Sequence, residues 1–334
     1  AVGTAYDVPS GDIHVPADAP TIQAAVDIAP SGKTIVVAPG EYFENITISN
    51  QNLIIESSAG VSQTIINANL QGMGIFFNDM SSSITLDGFT IKGGDGSITN
   101  LYNHVSGIYG KYSANNIYRN LIITENINGS TFQIQPSSTV ENVLISGNTG
   151  DYDWNSAALV ISGASTGIAV LSNLTISGNS LMSGIQYQIG NHPALQIMNS
   201  VIWGNRWTNN DNYSYPNIMV SGWGNTANIN VYNSLVQGGQ DEFVNTSENF
   251  TLNLNWDSSN LTSYPYFNNP DSADYSLSSY SPMIGAGASS VTIDGVTYNA
   301  PTTDILGNSR PNPSGTSPDI GAYESSESTP DYNP

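Results

Sequence analysis

The sequence predicts an all-β chain wound as a parallel β-helix, and three observations carry that expectation. A short motif recurs at solenoid spacing; the segments around it are short, β-branched and bounded by Gly, Asn or Ser; and no window keeps a helical period across three turns. The motif runs from a polar residue through a buried Ile or Val to Gly-Asn or a close variant. It occurs at 87–94, 119–126, 141–148, 172–179, 198–205 and 232–239, for example as Glu141-Asn-Val-Leu-Ile-Ser-Gly-Asn148. Its apolar position falls on Ile91, Ile123, Ile145, Ile176, Ile202 and Val236, giving steps of 32, 22, 31, 26 and 34 residues. Each step holds two or three short strands, enough for a coil that pairs with the next at the ~4.8 Å strand spacing.

The elements follow in order. Residues 1–12 read as an N-terminal extension and 13–324 as a single β-helix domain. Within it, 13–66 form the N-terminal cap and first coils, 84–240 the central coils, and 241–324 a C-terminal capping region with closing strands. Pro20–Ala29 is the one segment with helical character: Thr21 stands near its start, Ile22, Ala25, Val26 and Ala29 share a face, and Pro30 stops it. Such a helix would cover the first coil, as a solenoid end requires. The Asn closing each central motif, at Asn126, Asn148, Asn179 and Asn205, is expected both to take a left-handed corner conformation and to hydrogen-bond along the stack. Ser325–Pro334 is rich in Ser, Glu and Pro and reads as a tail or linker stub.

Composition narrows the function classes. The 334 residues include 6 Lys plus Arg against 27 Asp plus Glu, a net charge of −21, so no basic stripe is available for nucleic acid and anionic membrane surfaces are disfavoured. No apolar run approaches the ~18 residues of a spanning helix. Charged residues make up 10% of the chain, while Asn (40), Ser (44) and Gly (32) are abundant and hydrophobics reach 39%, a folded composition rich in turn and strand formers. Cys is absent, which excludes a disulfide framework and Cys-based metal or redox chemistry. The chain starts at Ala1 rather than Met, so an extracellular or cell-surface location after signal-peptide removal is expected.

Two longer stretches carry a family resemblance. Ile13-His-Val-Pro-Ala-Asp-Ala-Pro-Thr-Ile-Gln-Ala-Ala-Val26, followed by Gly32–Ile48 and Thr64-Ile-Ile66, resembles the opening of secreted right-handed parallel β-helix proteins of the pectate-lyase-like superfamily. Asp304-Ile-Leu-Gly-Asn-Ser-Arg-Pro311 with Pro318-Asp-Ile-Gly-Ala-Tyr-Glu324 is similar to the closing signature of bacterial surface and secreted members. The resemblance implies a right-handed coil but spans pectate and alginate lyases, polygalacturonases, pectin methylesterases, tailspikes and noncatalytic adhesins. The Gly-His-Gly turn of polygalacturonases is absent, and Arg310-Pro311 is followed by Asn312 where pectin methylesterases have Trp.

A polysaccharide lyase needs a cationic base and commonly Ca²⁺. Lys92, Lys111 and Arg119 are the candidate bases around the insertion 93–111, which also carries His104; Asp79, Asp87 and Asp95, with Asp151 and Asp153 further on, are the candidate Ca²⁺ ligands. His14 and His192 have no second ligand at metal spacing, and Arg310 is expected to pair with Asp319 or Glu324. Trp203, Trp207, Tyr213, Tyr215 and Trp223 fall within 21 residues among Asn and Ser, a pattern suited to glycan stacking or assembly contacts. Trp203 occupies the outward slot held by Thr124, Ser146 and Ser177 in other steps. Because a chain of charge −21 repels polyanions, the favoured reading is an exported, noncatalytic structural or adhesive protein. Its partners would be itself, as homo-oligomer or filament, and neutral polysaccharide. No cofactor is required; Ca²⁺ enters through the alternative, a Ca²⁺-dependent lyase acting on a polyuronate.

Overall fold

The computed structural model describes residues 8–49, 51–78, 83–98, 104–110, 115–150, 156–163, 167–189, 194–205, 216–222, 226–247 and 251–332. One wall is a parallel sheet whose strands add in chain order: β1 (Ile13–Val15), β2 (Lys33–Val37), β3 (Leu53–Ser57), β4 (Ile84–Lys92), β5 (Ile117–Thr124), β6 (Thr139–Ser146), β7 (Ala169–Ser177), β8 (Leu195–Met198), β9 (Thr226–Tyr232) and β10 (Thr251–Trp256). A second, eight-stranded parallel sheet runs from Ile46–Ile48 to Phe243–Asn245 in the same order. Walls that each gain a strand as the chain advances define a parallel β-helix. Ile91, Ile123, Ile145, Ile176, Ile202 and Val236 are successive register partners, each 0% exposed, so the sequence motif marks one position on six coils. The motif fades near 240, but the coils do not: β10 pairs along its length with β9.

Between the walls lies the main core, largely apolar, with Tyr118 edge-on to Phe132 at 4.8 Å. At the N-terminal end α1 (Ile22–Ile28) lays Ile22, Ala25 and Val26 onto it. The Thr21 hydroxyl accepts the Ala24 N–H at 3.0 Å, and the Glu44 carboxylate accepts those of Ile22 and Gln23 at 2.9 and 2.8 Å, so the free donors of the first turn are satisfied.

The two roles expected of one Asn column belong to two. Asn126, Asn148, Asn179 and Asn205 form a buried amide ladder: the Nδ2 of each of the first three donates to the Oδ1 one coil on, at 3.0, 2.9 and 2.8 Å. The left-handed turn sits on the residue before each, Glu125, Gly147, Gly178 and Gly204, with φ of 54, 66, 69 and 68°. A second column, Asn120, Asn142, Asn173, Asn199 and Asn233, does take left-handed backbone, with φ between 44 and 56°. A side chain must point into the coil to join the ladder, so the sharp reversal falls one residue earlier, mostly on Gly.

Residues 241–324, expected as a C-terminal capping region, contribute β10 and then run along the outside of the stack. Phe267, Tyr275, Met283, Ile305, Ile320 and Ala322 form a second core against Val61, Leu144, Val201 and Leu235. The outward Asn column receives this segment: Asn142 Nδ2 donates to Thr303 O at 2.8 Å and Asn199 Nδ2 to Ala288 O at 2.8 Å. Arg310, 5% exposed, locks it, with Nε 2.9 Å from Glu324 Oε2 and the guanidinium donating to Asn142 Oδ1 and Gly321 O at 3.2 and 3.1 Å. Burial, with Asp319 close by, pushes the Glu324 carboxyl up to about 7. The residues after it are tied back by the Asp331 N–H to Ser279 O at 2.7 Å.

Candidate functional site

Two surface features concentrate functional side chains. The first lies on the outer face of the β-helix wall, where Glu56, Asp87, Arg119 and Glu141 are successive register partners on β3 to β6. Arg119 Nε donates to Asp87 Oδ2 at 2.7 Å, and Asn120 Nδ2 to Asp87 Oδ1 at 2.7 Å. Glu141 stands on the other side of Arg119. Burial raises its carboxyl above the usual range, Arg119 opposes that rise and Asp87 adds to it. Asp87, Arg119, Asn120, Glu141 and Asn142 line a cleft of about 250 Å³ rimmed by Thr302 and Thr303 of the returning C-terminal segment.

The structure therefore brings Asp87 and Arg119 together but sends Lys92 elsewhere. Lys92 lies at the far end of β4, beyond a left-handed turn at Gly88, with Nζ 3.3 Å from Glu41 Oε1. The Glu41 carboxyl is held below its usual range by the Asn67 amide first and by Lys92 second. Asp95 accepts bonds from Ser97 N, Ser97 Oγ and Asn128 Nδ2 at 2.9, 2.6 and 3.0 Å. Burial alone would raise its carboxyl, and those bonds outweigh it and leave it lowered. The His104 Nδ1 lies 3.2 Å from Gly96 O, and His14 is exposed. Among the described residues no group of three or more His, Cys, Asp or Glu is placed to hold a metal ion. Lys111, Asp79, Asp151, Asp153 and His192 lie outside the described residues.

Every Lys and Arg among the described residues has a partner. Lys33 Nζ donates to the carbonyls of Pro9, Ser10 and Gly11 at 2.9, 3.0 and 2.6 Å, while Lys92, Arg119 and Arg310 are ion-paired.

The second feature is aromatic. Trp203, register partner of Ser177, is half-buried at the outer surface. Tyr264 meets it edge to face at 5.5 Å and 85°, and Tyr266 meets Tyr264 at 5.0 Å and 82°. Tyr264 and Tyr266 are 52% and 48% exposed, and Tyr266 sits at φ 50°, a strained conformation for a bulky residue. Trp207, Tyr213, Tyr215 and Trp223 lie outside the described residues. Sequence reasoning places aromatic function in 203–223 and misses these tyrosines. Their signal is Tyr264-Pro-Tyr-Phe267, a run past the last motif.

No family model matches the chain, and no curated protein matches it. Among solved structures it is similar to a pectin methylesterase from carrot, at 14% identity over 76% of this chain and 84% of that one, TM-score 0.46. Pectate lyase Pel9A matches at 14% identity over 94% and 96%, TM-score 0.46, and a deglycosylated Aspergillus niger pectin methylesterase at 14% over 75% and 86%, TM-score 0.35. At these identities and scores no activity, substrate or residue role passes to this chain; the parallel β-helix rests on its own strand pairing.

Proposed function

We propose that the protein is an exported, noncatalytic β-helix that acts as an extracellular structural or adhesive element and holds neutral glycan on Trp203, Tyr264 and Tyr266. The observation that carries this reading is the pairing of an exposed aromatic group with cations that, among the described residues, are all engaged. Pyranose faces stack on such rings without needing charge. A lyase base must instead be free to take a proton, and Lys92 and Arg119 each already serve a carboxylate. The charge of −21 further favours a neutral ligand over a polyuronate. No helix among the described residues is long and apolar enough to cross a membrane.

Calorimetric titration with soluble neutral glucan, xylan and mannan tests the reading. Binding to at least one is expected, with Tyr264→Ala plus Tyr266→Ala weakening it about tenfold or more while the thermal midpoint holds. Absence of binding to all three, or unsaturated product from a polyuronate, would overturn it.

A further inference from the structure

Among the described residues the last coil ends on an unpaired sheet edge. β10 hydrogen-bonds to β9 on one side, and among the described residues no strand pairs with its other side. Its inward side chains, Leu252, Leu254 and Trp256, pack on the main core but are only half-buried, whereas Ala227, Ile229 and Val231, their register partners one coil back, are 0% exposed. Phe243–Asn245, the last strand of the second sheet, belongs to the same coil and is also terminal.

Edge strands are ordinarily protected by charge, proline or a bulge. Thr251-Leu-Asn-Leu-Asn-Trp256 has no charge and no proline in a chain of net charge −21, and its pairing with β9 is regular. Such an edge accepts a strand with the same alternation of apolar inward and amide outward residues. β10 itself has that alternation. The opposite end cannot supply the match, because α1 already covers the first coil, so end-to-end stacking into a filament is blocked. An arrangement that uses the open end twice closes on itself.

We infer that two copies of this chain pair tail to tail through antiparallel β10 strands, forming a two-fold dimer. Residues opposite each other in an antiparallel pair share a face, so the two-fold axis must pass through a residue rather than between two. With Asn253 on the axis, Leu252 of one copy meets Leu254 of the other and the apolar faces stay continuous. Asn253 then faces its own counterpart and extends the row it already forms with Asn228 at 3.0 Å, while Asn255, bonded to Asn230 at 3.1 Å, faces Thr251 of the other copy. The pairing goes beyond the glycan reading and does not depend on it.

Sedimentation of the full chain at high micromolar concentration should give twice 35.4 kDa. Because the chain has no Cys, Asn253→Cys is a clean reporter: mild oxidation should yield a covalent dimer, while Asp27→Cys on α1 stays monomeric. Leu254→Lys should weaken association about tenfold or more, with the circular dichroism unchanged. Should that variant fail to fold, the cysteine pair decides alone. A wild-type monomer, fibres, or equal cross-linking of the two cysteines would overturn the proposal, whatever the glycan titration shows.

Discussion

The two ends of the coil are built from the same kind of strand and finish differently. At the first coil Ile13 and Val15 are 0% and 1% exposed beneath α1, while at the last the inward residues of β10 are only half-buried. The local cause is the composition of the chain immediately after each strand. Beyond β1 come Thr21 as a cap and Ile22, Ala25 and Val26 on one face, and this segment folds over the opening. Beyond β10 come Pro, Tyr, Asn and Ser, and the apolar residues further on, Met283, Ile305 and Ile320, are used against the side of the stack. A solenoid can thus seal its side and leave an end open, because the lateral wall and the coil end compete for the same stretch of chain.

Breaking the lateral lock tests the contrast most strongly. Arg310→Ala leaves Glu324 buried without its ion pair and should cost about 3–5 kcal/mol in denaturant unfolding. Hydrogen exchange should rise over 304–324 and stay slow over α1; fast exchange at the first coil would mean that side and end are coupled. Next come the ends themselves. Ile22→Ala, at 0% exposure, should cost about 2–5 kcal/mol, against about 1 kcal/mol or less for Leu254→Ala at a half-buried position, both measured at dilution where copies separate. Equal costs would erase the distinction between closed and open coil. Smallest is the amide comparison: Asn148→Ala strands ladder partners on both sides and should cost about 1–3 kcal/mol, whereas Asn253→Ala on the exposed surface should stay within about 0.5 kcal/mol. A large loss at Asn253 in dilute monomer would show that the outer amides also hold the coil.

Legibility in the sequence tracks the range of the interaction. The apolar column from Ile91 to Val236 is readable because each copy carries its own turn residues, and α1 because its cap and face lie within ten positions. The last coil is hidden because β10 lacks the turn motif that marks the six central steps. The Asn corner reads as one column with two tasks; stacking an amide inward and reversing the chain need different backbone conformations, so they fall to neighbouring residues.

By itself the sequence determined the winding of the coil and the sealing of its first turn, since both arise from apolar spacing and turn chemistry within a single step. Only the tertiary structure decided which side chains meet between steps. Arg119 faces both Asp87 and Glu141 although its steps to them are unequal, 32 and 22 residues. Trp203 finds Tyr264, and Arg310 reaches Asn142 across 168 positions. Loops of unequal length carry no register in linear order, and a returning segment can dock only on a wall that already exists, so these contacts are properties of the stack and not of any one repeat.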